Sequence, residues 1–116
     1  MKTVTKYTDN KGNESNTSGA VTSTTDYLFF LAEFEVQGIC LYANTYEKNY
    51  QAQYDYYNAG NSKVKYRHDA TGTDVYYWCR SANYSSRVGF CAVRPDGNAG
   101  ISRAEYSIGL APCFCV

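Results

Sequence analysis

Hydrophobic and polar positions are unevenly spread along the chain. From Met1 to Thr25 polar residues dominate, and only Thr3–Val4–Thr5–Lys6–Tyr7 alternates. That alternation predicts an extended edge strand, followed by a loop or linker through Asp9–Gly19. Tyr27–Ala32, YLFFLA, is a continuous apolar run, too short for a helix, and predicts a fully buried strand. Glu33–Phe34–Glu35–Val36 alternates until Gly38, so its carboxylates share one face and predict a solvated strand edge. Ile39–Tyr42 predicts a second short apolar segment. Tyr46, Tyr50, Tyr54 and Tyr57 recur at helical spacing and predict a helix over Thr45–Tyr57 with its rings on one face. Asn44 or Thr45 would cap it and Gly60 would end it. The ring stripe reads as core packing.

The second half alternates apolar strands with short polar runs. Val64–Tyr66, Val75–Arg80, Val88–Val93, Ala99–Ser102 and Ala111–Val116 read as strands; Ser81–Arg87 and Arg103–Tyr106 read as polar excursions. In Val88–Val93 the pattern places Val88, Phe90 and Ala92 on one face and Gly89, Cys91 and Val93 on the other. Pro95–Asp96–Gly97–Asn98 predicts a turn, because Pro presets φ and Gly supplies a positive φ. Ala99–Ser102 would return antiparallel to the strand before it. Pro112 places the start of the last strand at an edge or bulge.

Length and charge narrow the partners. A chain of 116 residues is one domain, able to bury roughly two-thirds of its unfolded surface. Basic and acidic residues balance at 11 each, and no basic stripe is visible, which argues against nucleic acid. The opening MKTVTKYTDNKG lacks the apolar core of a secretory signal, so synthesis in the cytoplasm without a signal peptide is expected. No run approaches a membrane span, so membrane insertion is not expected. The 13 tyrosines, with abundant Asn, Ser, Thr and Gly, leave two readings open. One is an adaptable binding surface, the other a β-rich domain with half-buried strand tyrosines.

Reactive chemistry finds little support. The single His68, between Arg67 and Asp69, reads as a surface loop residue with no nucleophile motif beside it. No phosphate, dinucleotide or metalloprotease motif is present, so no cofactor is expected. No Asp, Glu and Asn cluster at calcium-loop spacing occurs. Cys79, Cys91, Cys113 and Cys115 could converge on zinc, but Cys-x-Cys in a strand fits a zinc knuckle poorly. We read them as buried free thiols and expect no metal. With five cysteines, at least one cannot pair within the chain.

At Trp78–Ser81 (WCRS), Phe90–Gly97 (FCAVRPDG) and Gly109–Val116 (GLAPCFCV), the chain resembles a bacterial and phage domain family of uncharacterised function. Its members read roughly YWLRS, FxxVxxDG and GVxPxFxx in that order. Their upstream FLLSxxE resembles Phe29–Glu35, FFLAEFE, so the similarity covers Asp26 to Val116. The resemblance implies a C-type-lectin-like fold of the formylglycine-generating-enzyme type. That is an α+β domain with a small twisted antiparallel sheet, long loops and one or two helices. The family domains carry a longer stretch before FFLAEFE, so the N-terminal part is shortened here. The domain is expected over 26–116, with 1–25 as a polar segment or linker, and homo-oligomerisation becomes a stronger expectation.

Some domains of this type are variable proteins of diversity-generating retroelements, in which surface side chains change on a fixed frame. The resemblance therefore implies a non-enzymatic ligand- or receptor-binding display domain on a phage tail or bacterial surface, with a protein or glycan ligand. The expected binding face is Asn83, Tyr84, Ser85, Ser86 and Arg87, with Arg94, Asn98, Ser102, Arg103, Glu105 and Tyr106. These set Tyr and Arg anchors among small polar groups. Trp78, Arg80, Ser81, Phe90, Asp96, Gly97, Gly109 and Pro112 are assigned to the frame. The alternative is a structural virion or assembly subunit that uses the same loops for subunit contacts.

Overall fold

Glu33 and Glu35 open a helix and point inward, where the alternation had suggested a solvated strand edge. Helix α1 spans Glu33–Gln37. Its N-cap, Ala32, has extended backbone and no capping side chain, so the Glu35 carboxylate reaches back to accept the Ala32 N–H at 2.9 Å. Acidic residues in this first turn also suit the positive helix end. Gly38 ends the helix in the left-handed region, φ 72°, with its N–H donating to Phe34 O. The Gln53 amide lies over Gly38, and a Cβ there would sit 2.6 Å from Gln53 Oε1.

The computed structural model describes residues 2–7, 21–49, 51–84 and 89–114. The fold is α+β, with every strand pair antiparallel. Strand β1 (Lys2–Tyr7) pairs with β2 (Val21–Asp26) in register Lys2–Asp26 to Tyr7–Val21. The alternation at Thr3–Tyr7 falls within β1. The expected loop Asp9–Gly19 lies outside the described residues. Strand β3 (Leu28–Phe29) pairs with β9 (Cys113–Phe114), and β4 (Tyr66–Arg67) with β5 (Ala70–Asp74). The central sheet has three strands: β6 (Tyr77–Ala82), β7 (Gly89–Val93) and β8 (Ala99–Arg103).

Tyr27–Ala32 is not one buried strand. Only Leu28 and Phe29 pair, in a two-stranded ribbon, and among the described residues Tyr27 and Leu28 are exposed while Leu31 and Ala32 are buried. Ile39 and Leu41 are also exposed, because Ile39–Tyr42 curls as a turn around the Glu33 carboxylate and packs only Cys40 and Tyr42 against the core. The single helix over Thr45–Tyr57 is absent. Thr45–Asn49 is a 3-10 turn, and Asp55–Asn58 is a one-turn helix, α2. Between them the chain is drawn across α1: Tyr54 N–H donates to Glu35 O and Gln53 Nε2 to Val36 O. Those bonds hold Tyr54 extended and interrupt the helical period. Tyr57 is buried, Tyr54 half-buried, Tyr46 exposed, and Tyr50 lies outside the described residues.

In the central sheet Tyr77 pairs with Val93 and Trp78 with Ala92, so the two faces alternate here as expected; the register shifts between Trp78 and Ala82, and Val88 lies outside the described residues. Tyr77, Cys79, Cys91 and Val93 join Leu31, Val36, Ala43 and Tyr57 in the core. Trp78 is half-buried and meets half-exposed Phe90 edge-on. The Pro95 turn forms as expected: Gly97 has φ 87°, its N–H donates to Arg94 O, and Arg94 N–H donates to Asn98 O. β8 extends the expected return strand by one residue, to Arg103. In the closing strand only Cys113 and Phe114 are paired among the described residues.

Cys79 and Cys91 are buried free thiols, Cys40 is half-buried and free, and Cys113 is half-buried; Cys115 lies outside the described residues. Burial, reinforced by the nearby Glu47 and Glu33 carboxylates, pushes the Cys40 thiol up to about 11 from 9.0. Burial likewise raises Cys79, Cys91, Tyr57 and Tyr77. Each of these groups holds its proton more tightly folded than unfolded. Above pH 9 the unfolded chain releases thiol protons that the native chain keeps, so stability falls as pH rises from 9 through about 11. The urea midpoint is therefore expected to hold at mildly alkaline pH and drop steadily beyond pH 9. A midpoint that stays flat across that range would contradict the buried-thiol core.

Candidate functional site

A set of buried polar groups lies beside α1. Glu33, Glu35, Glu47 and Ser81 are all buried. Glu33 Oε1 accepts the N–H groups of Leu41, Tyr42 and Ala43 at 2.5, 3.0 and 3.2 Å. The Glu33 N–H donates to Ser81 Oγ, which donates to Glu47 Oε2 at 2.8 Å. Arg80 grips Glu35 with both terminal nitrogens, at 2.6 and 3.1 Å, and donates to Phe30 O. The pair's side chains are only 8% and 4% exposed. Arg80 thus joins a loop carbonyl to the buried carboxylate. These buried groups lock α1, the Ile39–Ala43 turn and β6 together.

The nominated binding residues divide into three places. β7 and β8 are antiparallel with Gly89 opposite Arg103 and Val93 opposite Ala99. Asn83, Ser102, Arg103, Glu105 and Tyr106 therefore gather at one end of the sheet. Arg94 and Asn98 sit at the other, in the turn. There the Asn98 backbone and side-chain amides donate to Asp96, holding its carboxyl below the usual range. Tyr84 lines a separate small cleft with Tyr42, Asn44 and Tyr46. Its N–H donates to Tyr42 O at 2.7 Å. Ser85, Ser86 and Arg87 lie outside the described residues.

At the first end, Asn83, Ser102, Arg103 and Tyr106 line a cleft of about 430 Å³. Asn83 departs from its expected place on an exposed loop. It is only 3% exposed, because its N–H bonds Gly89 O and its side chain lies against Gly89, where a Cβ would stand 3.4 Å from Asn83 Nδ2. It contributes to the cleft's floor. Arg103 and Glu105 form an exposed ion pair at 3.1 Å, and Tyr106 N–H donates to Arg103 O, closing the turn that presents the tyrosine. The remaining lining was not foreseen: Tyr76, Gly89, Ile101 and Ile108. An exposed isoleucine on the outward position of β8 was the signal within reach. Tyr76 joins the cleft only through the bridge that sets Gly109 beside Tyr77.

His68 lies exposed in the turn between β4 and β5, as expected. Its neighbours Arg67 and Asp69 pair at 2.7 Å, and the Arg67 hydrogen bonds hold the Asp69 carboxyl below the usual range. Among the described residues, no three His, Cys, Asp or Glu side chains come together as metal ligands. No helix among them is long and apolar enough to cross a membrane.

A family model for DUF6273, a domain of unknown function, matches residues 1–116. The chain belongs to the DUF6273 family. The match runs through residue 26 without a break, so the family's extent includes the β1–β2 ribbon. No curated protein matches this DUF6273 domain. No solved structure matches it either. Its chemistry must therefore be read from the cleft itself: apolar walls, two tyrosines, one paired arginine and a buried amide.

Proposed function

We propose that this DUF6273 domain is a non-enzymatic ligand- or receptor-binding display domain, carried on a phage tail or a bacterial surface. Its fold would be a C-type-lectin-like arrangement with a shortened N-terminal part. The observation that carries the reading is the cleft, where Asn83 from the end of β6, Ser102 and Arg103 from β8, and Tyr106 from the following turn meet. Tyr and Arg at the rim of a partly apolar depression are the residue types that anchor interfaces. The binding face is accordingly narrowed to the Asn83–Tyr106 end, and Arg94, Asn98 and Tyr84 are left at its margins. The ligand would be a protein or a glycan on a cell surface.

Tyr106→Ala and Arg103→Ala are expected to weaken binding to a panel of intact bacterial cells by about 2 kcal/mol each, roughly thirtyfold. Arg94→Ala serves as the control and is expected to change binding little. Equal losses from all three variants would refute the cleft as the site. The diversified form of the reading predicts, in the DNA, a neighbouring reverse transcriptase and a template repeat that differs from codons 83–106 only at adenines.

A structural virion or assembly subunit is the second reading, and a different surface favours it. Leu28 and Phe114 are cross-strand partners and are 64% and 70% exposed. An apolar patch of this kind suits a subunit contact. A stable oligomer on a sizing column, dissociated by Phe114→Ser, would favour assembly.

A further inference from the structure

We infer that the binding cleft continues past Tyr76 and Ile108 into a second cleft, and that the joined groove takes a linear, uncharged glycan. The inference rests on the ligand-binding reading above and adds the ligand class and the second half of the site. The second cleft is larger, about 630 Å³, with Tyr66 and Arg67 in its lining. Tyr76 and Ile108 line both clefts, so the two adjoin there. Exposed tyrosines follow the groove: Tyr66 at 59% in the larger cleft, Tyr76 at 39% at the junction and Tyr106 at 54% in the smaller. Successive exposed rings offer apolar faces with a polar edge. That is the surface a sugar ring presents in complement, with its C–H face flanked by hydroxyls.

Charge along the groove and the backbone at its junction disfavour the other linear polymers. Aromatic residues in a groove also suit single-stranded nucleic acid, but only where cations track the phosphates. Here Arg67 is held by Asp69 at 2.7 Å and Arg103 by Glu105 at 3.1 Å, and Lys65 shares the lining of the larger cleft with the Asp74 carboxylate, so the groove's charges balance. Little counterion release is then available to drive phosphate binding. An extended peptide would need a free strand edge. At the junction that edge is occupied, since Gly109 N–H donates to Tyr76 O and Trp78 N–H donates to Gly109 O. Ring faces and neutral hydrogen-bonding groups are what the groove still offers.

The test measures binding of the intact domain to ladders of neutral oligosaccharides by calorimetry, beside mixed-sequence single-stranded RNA and an unstructured peptide library. Long oligosaccharides are expected to bind at least about tenfold tighter than short ones, because they span both clefts. Tyr66→Ala, at an exposed position, is expected to remove about that factor for long ligands and leave short ones unchanged. Tyr106→Ala is expected to weaken both. Length-independent affinity, an inert Tyr66→Ala, or binding only of RNA or peptides overturns the inference. If no oligosaccharide binds while Tyr106-dependent binding to intact cells persists, the glycan assignment fails and the binding site stands. Loss of both refutes the two together.

Discussion

Arg80→Ala is expected to destabilise the domain by about 3–5 kcal/mol, the cost of leaving one partner of a buried ion pair unmatched. Domains of this size have only about 5–15 kcal/mol in hand, so the variant stands close to unfolding. The reason is local and specific. The guanidinium makes a two-pronged contact with Glu35 and a third bond to Phe30 O, with both side chains almost wholly out of water. Truncation strands the Glu35 carboxylate, whose second duty is to cap Ala32 at the start of α1. The urea midpoint should fall by more than about 1 M. Replacing both partners, as Arg80→Met with Glu35→Met, should recover much of the loss, since a buried pair and an apolar pair of similar volume are often close in stability. Arg80→Ala with an unchanged midpoint and abolished binding would instead place Arg80 on the binding face.

Glu33→Ala is expected to cost at least about 3 kcal/mol, because it orphans the N–H groups of Leu41, Tyr42 and Ala43 at once. A single carboxylate here replaces the partners that a strand or helix would have given three consecutive amides. The loss should appear first in hydrogen exchange, with those amides losing protection before the central sheet does. Glu33→Gln keeps a carbonyl oxygen for the amides and should lose less than half as much. Unchanged protection at all three amides in Glu33→Ala would rule out the carboxylate as the organiser of that turn. The two substitutions probe neighbouring parts of one region, so their effects should not add.

These carboxylates also mark where reading the chain alone went astray. Glu33–Phe34–Glu35–Val36 has the period of a strand, and exposed glutamates are the common case. Nothing local records that Arg80, forty-five residues away, waits to pair with Glu35, or that a turn eight to ten residues on will wrap its amides around Glu33. The Thr45–Tyr57 stripe failed for the same reason: Glu35 O and Val36 O claim Tyr54 and Gln53, and those long-range bonds outweigh helical spacing. Asn83 was expected on a polar loop but is buried, a position created by its contact with Gly89 across the sheet end.

By itself, the chain's sequence determined the elements whose causes are local. Short apolar runs between polar stretches marked β6, β7 and β8, the Pro95–Asn98 residues specified their turn, and Gly38 marked the end of its segment, which is a helix and not the expected strand edge. Polar spacing after β8 marked Arg103–Tyr106 as a surface turn. The tertiary structure alone decided which polar residues would be buried, because burial of a carboxylate depends on donors delivered from distant segments. It also decided which of the candidate binding residues would meet. Antiparallel pairing of β7 with β8 sends Arg103 to one end of the sheet and Arg94 to the other, and the bridge between Tyr77 and Gly109 brings Tyr76 and Ile108 to the cleft.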